Sequence, residues 1–297
     1  MTNQRIGWIG TGVMGASMCG HLLTAGHRLT VFSRTRDKAL RLLEKGAIWA
    51  DTPKAAAQSS DIVFTMVGFP DDVREVILGD AGVLAGTKAG DTVVDMTTSS
   101  PDLARTIHHE CAAKGVTALD APVSGGDVGA REATLAIMVG GDKAVFAEIK
   151  PLFDILGKTI ALMGGPGSGQ HTKMINQILI AGTMIGVVES LLYAQRAGMD
   201  ANHIIDVIGK GAASSWCINT LGRRIADGDF NPGFYIKHFV KDMGIALEEA
   251  RRMRLSLPGL ALVHQFYVAA MAMGWEDLGT QGLFKVLSAM NHDTSIR

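Results

Sequence analysis

Among the 297 residues of this chain, Lys173 is the side chain best suited to moving a proton. It stands in Gly169-Gln170-His171-Thr172-Lys173-Met174-Ile175-Asn176, just inside a long apolar stretch with helical spacing. Burial disfavours the charged ammonium and moves a lysine toward neutrality, where it works as acid or base. Asn176 follows on the same helix face and could hold a substrate or the amine. The spacing alone fits a solvated lysine at a helix start equally well. The run Asp120-Ala-Pro-Val-Ser124-Gly125-Gly126 offers a different function. A glycine pair after a strand leaves backbone N–H groups open to a carboxylate, with the Ser124 hydroxyl beside Gly125 and Gly126. The same residues also suit a plain turn. Lys241-Asp242 forms a third candidate, although such a pair usually marks a solvated face. His108 and His109 fall on an expected surface helix, without the spacing of metal ligands.

A glycine turn supplies the cofactor signal. Gly10-Thr11-Gly12-Val13-Met14-Gly15 matches G-x-G-x-x-G between the first strand and a helix, the context a dinucleotide fingerprint requires. Gly10 permits the tight turn, Gly12 lets the backbone approach a pyrophosphate, and Gly15 lets the helix pack on the strand. The helix N-terminus then presents unpaired N–H groups to the anion. The second strand ends in Phe32-Ser33-Arg34-Thr35-Arg36, with no carboxylate before Asp37. An arginine there suits the extra phosphate of NADP, with Ser33 and Thr35 adding hydrogen bonds, so NADP is expected in preference to NAD. Two chance arginines in a solvated loop are the alternative. Met66-Val67-Gly68 and the run Asp95–Pro101 should also line the crevice at strand ends. Ser100 and Pro101 read as N-cap and first helical residue, which leaves Thr97 and Thr98 for other uses. A nicotinamide cofactor implies hydride transfer, and hydride arriving at an aldehyde carbon leaves negative charge on oxygen that a group such as Lys173 must neutralise.

Positioning such groups requires a defined frame. Short apolar runs at Ile6–Gly10, Leu29–Phe32, Ile62–Val67, Thr92–Asp95, Thr117–Asp120, Leu135–Val139 and Ile160–Leu162 alternate with helical segments. This pattern predicts a mainly parallel sheet covered on both faces, an α/β Rossmann-like domain over residues 1–164. Beyond the turn-rich Gly164–Gly169, helical periodicity dominates, which predicts an all-helical domain over 165–297, joined by a long helix near 170–197. The stretch Met174–Ala194 is membrane-like in composition but contains Asn176, Gln177 and Glu189, so a core helix is expected.

Composition narrows the classes. Hydrophobic residues make up 47% and charged residues 19%, enough for a sizeable core. A net charge of −1 gives no reason to expect nucleic acid or an anionic membrane as partner. Cys19, Cys111 and Cys217 lie far apart, which argues for neither a zinc site nor a disulfide framework; with no signal peptide in evidence, a cytoplasmic protein is expected.

Four ordered motifs resemble those of the β-hydroxyacid dehydrogenase family, which includes 3-hydroxyisobutyrate dehydrogenase and semialdehyde reductases. They are Gly7-Trp-Ile-Gly-Thr-Gly-Val-Met-Gly15, Asp120–Gly126, Gly167-Ser-Gly-Gln-His-Thr-Lys-Met-Ile-Asn176, and Pro232-Gly-Phe through Lys241-Asp242. The likeness spans nearly the whole chain. It implies an NAD(P)-dependent enzyme interconverting a small 3-hydroxy acid and its semialdehyde, with Lys173 as general acid/base. It further implies that Ser124, Gly125 and Gly126 hold the substrate carboxylate and that Asn176 orients the substrate. Thr98 and Lys241 are implied as cofactor contacts, and a homodimer or homotetramer as the assembly. The alternatives are a related reductase of imines or of a sugar-phosphate acid, for which Arg223-Arg224 is the clear arginine pair, or a non-catalytic NADPH-binding scaffold. The chain departs from the family at Met66-Val67-Gly68 and at Gly279-Thr280-Gln281-Gly282, the latter where substrate side groups could be read.

Overall fold

The computed structural model describes residues 3–291. The chain divides into two compact units, Met1–Lys173 and Met174–Arg297, which meet inside the long helix.

The first unit is built on nine strands: β1 (Arg5–Ile9), β2 (Arg28–Phe32), β3 (Ile48–Trp49), β4 (Ile62–Thr65), β5 (Thr92–Asp95), β6 (Thr117–Asp120), β7 (Val123–Ser124), β8 (Leu135–Gly140) and β9 (Gly157–Gly164). Their order is β3-β2-β1-β4-β5-β6-β8-β7, with β9 also on β8. The pairs from β3 through to β6 are all parallel. This is the doubly wound order, whose ligands gather outside the carboxyl ends of the strands where the order reverses, at β1. The sheet is thus mainly parallel, as expected, with one local exception: β8 runs antiparallel to both β6 and β7. Neither β3 nor β7 was expected, because two residues are too few to show a period.

Unbroken apolar strands follow from burial on two faces. Successive side chains alternate, so Trp8, Phe64 and Val94 enter one core with Met18, Leu22 and Phe153. Ile9, Val63 and Val93 enter the other, with Val73, Ile77 and Ile107. Trp8 and Phe64 stack at 5.5 Å between ring centroids. Each such fully buried large side chain contributes roughly 1.5–3 kcal/mol.

The second unit is helical. Its main described helices are the bulk of Ser168–Arg196, then Ala201–Ile208, Ile236–Arg252, Pro258–Ala272 and Leu283–Met290. The long helix buries Met174, Ala181, Met184, Val188 and Leu191 against Phe239, Val263, Tyr267 and Leu283. Phe239 meets Tyr267 edge to face at 5.0 Å. Its other side leaves Ile175, Leu179 and Tyr193 exposed at 67%, 70% and 77%, so only one face is core. By length and composition alone it is the one helix among the described residues that could cross a membrane.

Candidate active site

The glycine turn has the three properties the fingerprint demands, each visible in space. Gly10 sits at φ +97°, and a Cβ there would lie 2.2 Å from the Met66 carbonyl oxygen. At Gly15 a Cβ would lie 2.0 Å from the Gly10 oxygen, which also accepts the Trp8 indole N–H at 2.9 Å. Gly12 differs: nothing lies within 4 Å of its would-be Cβ. It precedes the helix Val13–Thr24, which has no side-chain cap and no acidic residue in its first turn. That opening and those N–H groups suit a pyrophosphate. Thr11 and Gly15 are buried, whereas Gly12 and Val13 are exposed and Met14 half-buried.

Around the turn, the strand ends are fastened to one another. The Gly10 N–H donates to the Phe32 carbonyl at 2.8 Å, and the Met66 N–H to the Ile9 carbonyl at 2.8 Å. Thr97 Oγ1 accepts the Val67 N–H at 3.0 Å, so Thr97 is a structural tie while Thr98 stays half-buried. Ser100 accepts the Leu103 N–H at 3.1 Å with Pro101 next, as the capping signature requires.

Two buried carboxylates close neighbouring strands in register, Asp95 on β5 and Asp120 on β6. Asp95 accepts from Thr65 Oγ1 at 2.6 Å and from the Thr97 N–H at 3.1 Å. Burial raises its pKa to about 6 despite those bonds, with the Asp120 charge adding to the shift. Asp120 accepts the Gly167 N–H at 2.8 Å, just before the long helix, and the Gln170 N–H at 2.8 Å in its first turn. Burial raises its pKa too, against the pull of these N–H groups. Gln170 completes the joint: its amide donates to the Thr97 carbonyl at 2.7 Å and accepts the Ser99 N–H at 2.9 Å. The contact is tight, since a Cβ on Gly169 would lie 2.4 Å from the Met138 oxygen and one on Gly140 2.4 Å from Asp120 Oδ1.

Lys173 lies just beyond Gln170 on the same helix, only 6% exposed, so it is not a solvated surface lysine. Asp120 also begins the run that turns through Ser124 to the glycine pair. Ser124 pairs with Ala136 on β8, and Gly125 and Gly126 both take positive φ, +133° and +64°, which only glycine adopts freely. The Asp120 carboxylate thus anchors the helix bearing the amine, and Asp120 itself begins the run that leads to the loop expected to seat a carboxylate. Sequence reasoning gave Asp120 and Gln170 no role. The available signal was a polar residue closing an otherwise apolar strand.

In the second unit, Asn176 donates to Gln177 Oε1 at 2.7 Å, and Gln177 donates to Asp242 Oδ2 at 2.6 Å. Lys241 Nζ lies 3.0 Å from Asp242 Oδ1, with side-chain exposures of 11% and 1%. The pair is therefore largely withdrawn from solvent and netted, not a solvated face. Thr280, Gln281 and Gly282 are buried as well. Gln281 donates to the Asp229 and Asn231 carbonyls at 3.0 Å, and Thr280 accepts from Tyr267. That departing segment spends its polar groups on the fold. Arg223 and Arg224 are likewise engaged, with Asp206 at 2.7 Å and Asp229 at 2.8 Å.

The end of β2 departs from a simple phosphate clamp. Ser33 is buried, Thr35 is exposed, and Arg36 lies over the Trp49 ring at 5.8 Å. Arg34 is exposed yet bonded to Asp72 at 2.9 Å. His108, expected on a solvated face, is half-buried and lines a cavity of about 10 Å³ with Asp95 and Asp120.

Comparison with known proteins matches residues 5–165 to the NAD-binding domain of 6-phosphogluconate dehydrogenase. Residues 167–287 match the NAD-binding domain of NADP-dependent 3-hydroxyisobutyrate dehydrogenase. The chain is 51% identical over 292 residues to the probable 3-hydroxyisobutyrate dehydrogenase-like 1 of Arabidopsis thaliana, covering 98% of this chain and 87% of that one. It is 40% identical over 290 residues to the 2-hydroxy-3-oxopropionate reductase of Escherichia coli, covering 97% and 99%. Among solved structures, 3-hydroxyisobutyrate dehydrogenase of Mycobacterium tuberculosis with L-serine superposes with a TM-score of 0.88 at 29% identity, over 96% of this chain and 99% of that one. An open glycine turn on a doubly wound sheet, a helical second unit and whole-length likeness agree: the chain is an NAD(P)-binding oxidoreductase of the β-hydroxyacid dehydrogenase family.

Proposed function

We propose that this protein interconverts a small 3-hydroxy acid and its semialdehyde, with Lys173 as the group that gives and takes the proton. The observation that carries this reading is the burial of Lys173 on a helix whose first turn is fastened by Asp120 and Gln170 to the strand ends. Bound NAD(P) supplies or accepts the hydride. The open approach at Gly12 and the uncapped helix behind it fit its pyrophosphate. The residues Thr11, Val13, Met14, Met66, Val67 and Thr98 line that crevice in this reading, and Lys241 serves the cofactor as well. NADP is the preferred form, supported by the lack of a carboxylate at Ser33-Arg34-Thr35. Ser124 and the N–H groups of Gly125 and Gly126 hold the substrate carboxylate, and Asn176 orients the rest. Lys173 holds its proton toward the carbonyl oxygen, neutralising the charge that develops there. The L-serine accompanying the M. tuberculosis relative is itself a 3-hydroxy acid with a carboxylate, which favours that substrate class. Working assembly as a homo-oligomer is part of the proposal, supported by the exposed apolar side of the long helix, and a cytoplasmic location is proposed with it.

The test is a panel of short semialdehydes and hydroxy acids assayed with NADPH and NADH, using the wild type and Lys173→Ala. The expected result is turnover of a carboxylate-bearing substrate, faster with NADPH, and a kcat about 10²–10⁴-fold lower in the variant with cofactor affinity retained. An unchanged kcat would overturn the role of Lys173, and turnover confined to imines would overturn the substrate class.

A further inference from the structure

The ion pair between Arg34 and Asp72 occupies a particular place in the topology. β2 and β4 both pair with β1, one on each side. Arg34 follows the end of β2, and Asp72 lies in the first turn of the helix Pro70–Leu78 that follows β4. Their 2.9 Å contact therefore spans the carboxyl end of β1, where the glycine turn begins. Asp72 is held for this contact: its Oδ2 accepts the Phe69 N–H at 3.1 Å, leaving Oδ1 for the guanidinium. Exposure differs sharply, at 78% for the Arg34 side chain and 20% for Asp72, so the acid is the fixed partner and the arginine the movable one.

We propose that Asp72 is a specificity-determining residue that sets how strongly the crevice discriminates between nucleotides with and without a phosphate on the adenosine ribose. The inference rests on the cofactor reading above. Asp72 neutralises Arg34 in the free protein, so a ribose phosphate gains the guanidinium only by taking it from a carboxylate. A nucleotide lacking that phosphate leaves the ion pair intact. Asp72 thereby weakens the phosphorylated form selectively, holding the two dinucleotides closer in affinity than Arg34 alone would. The pair is solvent-screened, so the effect is a few-fold rather than orders of magnitude.

Calorimetric titration of the whole protein at low salt, with 2′,5′-ADP and 5′-AMP as probes, reads this without turnover. Asp72→Asn keeps an oxygen for the Phe69 N–H and removes the charge. Its expected effect is about two- to five-fold tighter 2′,5′-ADP binding with 5′-AMP unchanged, and no such gain when Arg34→Ala is added. Unchanged or weaker 2′,5′-ADP binding in Asp72→Asn would overturn the proposal. So would equal tightening of both probes, or a gain that survives Arg34→Ala. A wild-type protein that binds neither probe would instead sink the cofactor crevice itself, and with it this role for Asp72.

Discussion

Asp120 Oδ2 accepts the backbone N–H of Gln170 at 2.8 Å, while its Oδ1 takes that of Gly167 at the same distance. The carboxylate thus satisfies two of the N–H groups that any helix start leaves without partners. Asp120→Ala should cost about 2–4 kcal/mol, because buried donors lose their acceptor. Asp120→Asn, with one acceptor oxygen, should fall between. Urea denaturation gives the stability. The accompanying signature is a fall in kcat larger than any change in dinucleotide Kd, because the helix start that Asp120 holds carries Lys173. A variant that lost only cofactor affinity would disconnect this joint from the amine.

Two glycines of one turn should behave oppositely. Gly12 has φ −70° and ψ −170°, which alanine adopts freely, and empty space at its Cβ position. Gly12→Ala should therefore fold like the wild type yet bind NADPH about ten-fold or more weakly, since the new methyl fills the pyrophosphate approach. Gly15→Ala, with its Cβ 2.0 Å from the Gly10 oxygen, should lower Tm and soluble yield before any binding question arises. Thermal melts beside fluorescence titrations separate the two, and equal Tm losses would contradict the distinct roles.

Asp95 makes stability depend on pH in an uncommon direction. Its pKa stands at about 6 in the fold, against an ordinary 3.8, because burial penalises the charged form. The folded state therefore holds more protons than the unfolded state between those values, and stability drains as pH rises through them. Asp95→Asn removes that ionisation while its oxygen still accepts from Thr65 and Thr97. The Tm of the variant relative to wild type should thus improve from pH 4 to pH 7. A difference that stays flat or reverses across that range would show that Asp95 ionises without cost.

Asp242 is buried and Lys241 half-buried, and Asp242 also takes the Gln177 amide at 2.6 Å. Removing the cation alone strands a charge, so Lys241→Met should destabilise by about 3–5 kcal/mol. Lys241→Met combined with Asp242→Asn should recover much of that loss. Chemical denaturation of both variants checks it, and it must precede any reading of Lys241→Met kinetics as a cofactor effect.

What was legible in the sequence was whatever is written locally. The glycine turn, the Ser100-Pro101 helix start and the alternation of strand and helix each depend on neighbours a few residues apart. The burial of Lys173 left a local trace as well, in the apolar run that follows it. Asp120–Gln170, Thr97–Gln170, Gln177–Asp242 and Arg34–Asp72 join residues far apart in the chain. No spacing rule encodes such pairs, because each partner is polar and short-range pattern reads it as turn, cap or solvated face. The reversal of β8 against β6 escaped for a related reason. An apolar strand looks the same whichever way it runs.

The placement of Gly167 and Gln170 has a practical corollary for anyone dissecting this protein. A nucleotide-binding fragment cut at residue 164, where the composition changes, would leave Asp120 walled in without the amides it binds. One ending after Lys173 would keep them, so the shorter piece should be insoluble and the longer one worth purifying.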